Sequence, residues 1–361
     1  NEYFGKMPEQ FDRLYLNDGK GNFTKAAGAL PPMFDNKSCV RPVDFDRDGD
    51  LDLFVGGRVV GYGYGKIPNS YLLVNDGKGR FADRTDALAP ALRKAGMVTD
   101  GAWFDYDGDG DPDLVVAGDW MPLRVFRNAN GKLTETGEAA GLKGTEGFWS
   151  ALATGDFDKD GDVDFLAGNL GTNTKLRKGE GGTLKMHVKD LDGNGTLEQL
   201  VTYRLGDEWY PLATKDELAK QVPSLNKKFL NYRDYAGKPA DELFGKEGLD
   251  GAEVREVNRF ESVYVENRGK EGFKVHALPV EAQVSKIFAL RVEDADGDGK
   301  GRFTPVLPTE SGFLLEGEVR DIKALKTPRG PLWAVARNNA PLQLFEKAKT
   351  PAGPPGKLAN K

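Results

Sequence analysis

The sequence predicts an all-β fold: a β-propeller of seven blades, with six as the alternative, interrupted by one helical insertion. Three observations predict it. Aspartate-rich runs recur along the chain, and each enters a short apolar strand. Asn/Asp-Gly turns flanked by apolar residues recur between them, the strongest short hairpin signal. Glycine is 46 of 361 residues, well above the usual ~7% and consistent with many tight turns. Asp44 and Asp105 are 61 residues apart, and Asp105 and Asp156 are 51 apart. That period suits a blade of several short strands and not a helical solenoid.

Composition bounds the chemistry. Hydrophobic residues are 39% and charged residues 29%, enough apolar material for a packed core and too much for a disordered chain. No run of eighteen apolar residues exists, which excludes a membrane-spanning helix. Cys39 is the one cysteine, so an intrachain disulfide and a cysteine-built zinc or iron–sulfur site are excluded. With only His187 and His276, histidine-based acid–base or transition-metal chemistry is poorly supplied. No block of like charge is long enough for a nucleic-acid arm.

The elements follow in chain order. Residues 3–25 hold a hairpin, Tyr15 to Phe23, read as the outer strands of a blade whose remainder lies at the other end of the chain. Pairing with the last strands would close the ring and remove open edges. Asp44, Asp46, Asp48, Asp50 and Asp52 then lead into Leu53-Phe54-Val55-Gly56. A second run, Asp105, Asp107, Asp109, Asp111 and Asp113, leads into Leu114-Val115-Val116-Ala117-Gly118. A third, Asp156, Asp158, Asp160, Asp162 and Asp164, leads into Phe165-Leu166-Ala167-Gly168. The fourth is a variant, Asp190, Asp192, Asn194, Thr196 and Glu198, and a truncated fifth has Asp294, Asp296 and Asp298. Units are therefore expected to start near 38, 98, 148, 184 and 284, with a loop-free unit at 318–346. Hairpins close the units at Asn75 to Phe81, Asn128 to Leu133 and Asn267 to Phe273.

Between the fourth and fifth runs the period changes. Thr214 with Glu217 forms a capping-box signature, and Leu218, Val222, Leu225 and Phe229 follow at helical spacing. Pro223 should stop the helix. Residues 214–250 read as a helical insertion, docked by Phe229, Tyr232, Tyr235 and Phe244. The propeller is expected to span 1–346. Residues 347–361, rich in Pro, Gly and Lys, read as a flexible tail.

The aspartate spacing points to calcium. Hard oxygen ligands at positions 1, 3, 5 and 9, a main-chain carbonyl at 7 and glycine at 6 suit a cation that takes 6–8 oxygens. Gly49, Gly110, Gly161, Gly195 and Gly299 occupy position 6, where a left-handed turn folds the loop. Magnesium, which keeps several waters in near-octahedral geometry, fits less well. An EF-hand needs a Glu at position 12 and flanking helices, but Val55, Val116 and Ala167 stand there, each inside an apolar strand. Five carboxylates within nine residues repel strongly without a counter-ion. Four to five structural calcium sites are expected, and they hold 21 of the 56 acids. Filling all five would change the formal charge from −6 to +4. In the fifth run Arg302 stands at position 9, and Asp298-Gly-Lys-Gly-Arg-Phe303 repeats the hairpin Asp76 to Phe81 letter for letter. Compared with the first two units, about 21–28 residues are missing there, by natural deletion or by joining of two separated pieces.

These residues resemble FG-GAP/VCBS-type repeats, the calcium-loop blades of integrin α-chain propellers and many bacterial surface proteins. Gly96 to Asp100, Ala167 to Gly171 and Asp321 to Asn339 are similar in particular to large bacterial FG-GAP proteins that also carry an ASPIC/UnbV domain, relatives of cartilage acidic protein. The resemblance implies a propeller, calcium and an extracytoplasmic location, secreted or on the bacterial cell surface, as one part of a larger protein or complex. It implies no fixed biochemical activity.

The leading reading is a non-catalytic interaction scaffold rigidified by calcium, with a protein partner at the cell envelope. The alternative is a carbohydrate-binding propeller, less readily a carbohydrate-cleaving one, with Trp120 and Trp149 as candidate platforms. A glycosidase needs two opposed carboxylates, and the sequence nominates no such pair. Gly61 to Lys66 lacks the order of a phosphate loop and its following helix. Open, stackable tryptophans would favour sugar; an apolar patch on the insertion would favour a protein.

Overall fold

A computed structural model describes residues 10–176, 179–292, 301, 303–328, 330–347 and 358–360. Within them, 23 strands form six antiparallel sheets. The N-terminal hairpin is β1 (Tyr15–Asn17) and β2 (Phe23–Lys25). The first blade is β3 (Asn36–Val43), β4 (Asp52–Val59), β5 (Tyr71–Asn75) and β6 (Phe81–Asp83), paired in that order. The second is β7 (Met97–Phe104), β8 (Asp113–Met121), β9 (Arg124–Asn128) and β10 (Leu133–Glu135), with the short β11 (Gly147–Phe148) added beside β8.

The third blade begins with β12 (Ala151–Gly155) and β13 (Asp164–Gly168) and then breaks off. The chain builds a separate sheet from β14 (Leu184–Lys189), β15 (Glu198–Leu205), β16 (Glu208–Pro211) and β17 (Glu253–Val257). It then returns with β18 (Val263–Asn267), paired to β13, and β19 (Phe273–Ala277). The unit expected to start near 184 is thus no successive blade but an insertion within the third one. Its order, β16-β15-β14-β17, also departs from the sequential meander of the blades. The cause is the pairing of the hairpin around Asn267, which completes the sheet of the third aspartate run and not that of the fourth. Counting aspartate runs therefore does not give the blade number.

The last sheet comprises β20 (Val319–Thr327), β21 (Gly330–Arg337), β22 (Gln343–Lys347) and β23 (Leu358–Asn360). β23 pairs with β22, so this part of the expected flexible tail is strand. The expected ring closure is not seen: among the described residues β1 pairs with β2 alone.

Packing between blades explains why the second strands are apolar without alternation. A blade is covered on both faces, so both sets of side chains must be apolar. On β8, Leu114 and Val116 face the first blade, with Phe54, Leu72, Val98 and Phe126 in one cluster. Val115 and Ala117 on the opposite face join Phe165, Ala167, Val263 and Val265 of the third blade. All nine residues of β8 are buried. The first strands lie side by side and are joined by polar contacts. Arg41 of β3 bonds the Asp100 carboxylate and donates from Nε to Gly101 O at 2.8 Å. Asp100 in turn accepts from the Leu152 amide of β12 at 2.9 Å.

The helical segment lies between β16 and β17. Thr214 and Glu217 form the expected capping box, and the helix Lys215–Gln221 ends two residues before Pro223. Leu218, Val222, Leu225, Phe229, Tyr235 and Leu243 are buried against Leu200 of β15. Phe229 and Tyr235 dock as expected, whereas Tyr232 is 56% exposed.

Close packing of backbone against side chain supplies a test. A Cβ at Gly101 would lie 2.6 Å from Phe54 Cε1, in the seam of the first two blades. Gly101→Ala is expected to cost about 1–3 kcal/mol by overpacking, read as a lowered midpoint in denaturant unfolding. An unchanged midpoint would mean that the seam is looser than described.

Candidate metal centres

The four aspartate runs within the described residues fold into loops of one design, each joining two adjacent strands of a sheet. Position 6 is a left-handed glycine in all four, with φ of 95°, 86°, 101° and 87° at Gly49, Gly110, Gly161 and Gly195. Its amide donates to the position 1 carboxylate: Gly49 to Asp44 at 3.1 Å, Gly110 to Asp105 at 2.8 Å, Gly161 to Asp156 at 3.3 Å and Gly195 to Asp190 at 2.8 Å. Position 4 is left-handed too, an unexpected constraint. Gly108 and Gly193 meet it freely, while Arg47 and Lys159 adopt φ of 60° and 61° at a steric cost.

Carboxylates converge as the spacing requires. Asp44, Asp46 and Asp48 each offer an oxygen within 4.8 Å of the others, as do Asp156, Asp158 and Asp160. In the second and fourth loops the converging sets are Asp105, Asp107 and Asp113, and Asp190, Asp192 and Glu198. Asp109 is drawn aside in the second loop, where Arg127 pairs with both Asp107 and Asp109. In the fourth, Asn194 Oδ1 accepts from the Thr196 amide at 2.7 Å. The fifth run, Asp294, Asp296 and Asp298, lies outside the described residues.

In the first three loops the position 7 side chain is turned elsewhere, while Thr196 in the fourth donates to Glu198 at 3.1 Å. Asp111 pairs through Oδ1 with Arg47 at 3.2 Å and accepts through Oδ2 from the Asn130 amide at 3.1 Å. Asp50 lies against Gly77 and Asp162 against Gly269, each in the hairpin turn of its own blade. Their main-chain carbonyls, not their carboxylates, are what the loop design offers an ion.

Position 9 opens the second strand of each sheet and is buried: Asp52, Asp113 and Asp164 are fully enclosed and Glu198 nearly so. Asp113 accepts from the Asn128 amide at 2.6 Å and the Tyr106 amide at 3.0 Å. Asp164 accepts from Asn267 at 2.7 Å, Phe157 at 3.2 Å and the Tyr264 hydroxyl at 2.9 Å. Asp52 accepts through Oδ1 from Asn75 at 2.8 Å. The Phe45 amide also faces Asp52, whereas Asp44 Oδ1 across the same loop is buried with no hydrogen-bond partner. An orphaned buried carboxylate oxygen is costly, and one in a loop of converging acids fits a hard cation.

The electrostatics agree. Burial pushes Asp52 and Asp164 up to about 6 and Asp113 up to about 7. Asp46 and Asp158 are raised by burial, with Asp48 and Asp160 beside them adding to it. Asp190 is lowered, chiefly because the Gly195 amide donates to it.

The sequence reading missed the asparagines of the hairpins. Asn75, Asn128 and Asn267 each place their amide on the position 9 carboxylate, and their recurrence ahead of each turn was the available signal. Conversely, Trp120 and Trp149 offer no open platform. Trp149 is fully buried between the second and third blades and donates to Thr145 O at 2.9 Å. Trp120 is 7% exposed and packs edge-on against Phe148 at 4.9 Å, under the inserted sheet.

A pH dependence follows for the chelated protein. A carboxyl raised in the folded state binds protons there more readily than in the unfolded chain, where its pKa is about 3.9. Its contribution is therefore present below that value and lost as pH climbs to about 6 for Asp52 and Asp164 and about 7 for Asp113. Asp113→Asn should flatten the decline, measured by urea unfolding at successive pH values in excess chelator. The same slope in both proteins would contradict the burial of this charge.

Comparison with known families bears on the same loops. No curated protein shows significant similarity to the chain. A family model, the FG-GAP-like repeat, matches residues 7–55, 59–116 and 105–167. These spans contain the first three aspartate runs and most of the strands that flank them. Residues 7–167 are thus similar to FG-GAP-like repeats, and the antiparallel sheets of the chain are consistent with a β-propeller.

Proposed function

We propose that this protein is a non-catalytic, calcium-stabilised propeller that acts outside the cytoplasm as an interaction scaffold for a protein partner. The observation that carries the calcium reading is the buried, unpartnered Asp44 Oδ1, in a loop where Asp44, Asp46 and Asp48 converge around it. Positions 1, 3, 5 and 9 of the four described loops would hold the ions: Asp44, Asp46, Asp48 and Asp52; Asp105, Asp107, Asp109 and Asp113; Asp156, Asp158, Asp160 and Asp164; and Asp190, Asp192, Asn194 and Glu198. Calcium, when bound, supplies the positive charge that lets these carboxylates stay ionised close together.

The chain's own residues then do the structural task. Position 6 amides orient the first ligand, and position 9 carboxylates join the loop to the third strand of the blade. Extracellular calcium is abundant enough to fill loops of millimolar affinity, which supports a location outside the cytoplasm. The resemblance to bacterial proteins with an ASPIC/UnbV domain supports a place within a larger surface assembly. No helix among the described residues is long and apolar enough to cross a membrane. Burial of Trp120 and Trp149 takes away the two leading candidate platforms for a glycan, which supports the protein-partner reading.

Thermal melting tests the calcium reading. Excess chelator should lower the melting temperature by several degrees, and calcium should restore it. Asp46→Ala and Asp158→Ala should each reproduce part of the loss, while the helical signal of residues 214–250, which hold no loop acid, persists. A melt indifferent to exhaustive chelation would defeat the proposal. Pull-down from the source cell envelope, set beside a glycan array, separates the partner classes: glycan binding without a protein partner would overturn the scaffold reading.

A further inference from the structure

We propose that the loops are not independent calcium sites but a coupled series, linked blade to blade by Asn128 and Asn267. This inference rests on the calcium reading above. Asn128 of the second blade is fully buried and has its side chain saturated. Its main-chain amide donates to Asp113 Oδ1 at 2.6 Å, and its Oδ1 accepts from Gly131 at 3.0 Å. Its Nδ2 donates to Pro112 O of its own loop at 3.1 Å and, across the seam, to Phe45 O of the first loop at 2.7 Å. Phe45 lies between the ligands Asp44 and Asp46.

The third blade repeats the arrangement. Asn267 donates its amide to Asp164 Oδ1 at 2.7 Å, and its Nδ2 reaches Val163 O at 3.3 Å and Tyr106 O at 2.7 Å. Tyr106 lies between Asp105 and Asp107. Each asparagine therefore joins the last ligand of its own loop to the first two ligands of the loop before. Asn75 is the internal control. It bonds Asp52 and Leu51 O of its own loop and has no bond to a preceding loop among the described residues.

The chemistry makes the link directional in space but reciprocal in energy. An amide side chain with two carbonyl acceptors cannot follow one loop without pulling on the other, since a lost bond in a buried site leaves unsatisfied groups. Ordering of one loop by an ion then lowers the ordering cost of its neighbour. Asn128 and Asn267 are positioning residues, not ligands.

The test reads loops one at a time. Hydrogen exchange of the Gly49, Gly110 and Gly161 amides is followed in the full chain as calcium alone is titrated. Asp46→Ala, in the first loop, should raise the calcium midpoint for Gly110 in the second by about fivefold or more. Asp107→Ala should raise the Gly49 midpoint by the same factor. Asn128→Ala should remove most of both effects even though the Arg47–Asp111 ion pair still joins the two loops, whereas Asn75→Ala should leave them. If Asn128→Ala does not fold, the matched pair of aspartate variants still decides. A Gly110 midpoint unmoved by Asp46→Ala overturns the coupling while leaving calcium binding intact. A wild-type chain with no calcium-dependent protection at any loop instead overturns the calcium reading beneath it.

Discussion

The second strand of each metal-loop sheet opens with a carboxylate that has been taken out of water. Asp52, Asp113 and Asp164 are wholly enclosed, and Glu198 almost so. A buried anion must be hydrogen-bonded, paired or protonated, so its neighbours are constrained in turn. The strand paired beside it must bring an amide to it, as Asn75, Asn128 and Asn267 do. The start of the loop must curl back over it, as the Tyr106 and Phe157 amides do. The loop, the hairpin turn and the strand register are consequences of satisfying one side chain.

That constraint explains a division of labour within the loops. Alternate positions that face inward crowd their oxygens together, and those that face outward secure the neighbouring turn or blade. Asp111 illustrates the second kind, holding Arg47 of the adjacent loop and the turn at Asn130. A sequence with five evenly spaced aspartates looks uniform. Its members nevertheless divide into ion-facing, scaffold-facing and buried groups, and the partition is set by the left-handed residues at positions 4 and 6.

Local chemistry was legible in the sequence and topology was not. Gly49, Gly110, Gly161 and Gly195 turn where a left-handed residue was required, and Thr214 with Glu217 caps the helix they announce. Both rest on interactions within a few residues. The nesting of β14–β17 was hidden because an aspartate run signals a strand pair, not the identity of the third strand that joins it. Asn267 pairs with the run at Asp164, about a hundred positions upstream, and nothing near either residue states this. Trp120 and Trp149 were read as candidate platforms from their nearness to loops. Their burial is decided by which sheet lies over them, a property of the assembled blades.

The interruption of the third blade has a consequence for how the protein is made. Gly168 ends β13 and Val263 begins β18, so the two strands that must pair are separated by the whole inserted sheet. During synthesis the first two blades emerge with all their strands contiguous. The third waits half-built, its β13 edge unsatisfied, while the insertion is translated. Because β14 pairs with β17, the two ends of the insertion are drawn together as it folds. A long excursion of high closure entropy becomes a short one. The inserted sheet therefore serves as an intramolecular clasp, delivering the closing hairpin to the edge that has been held open for it.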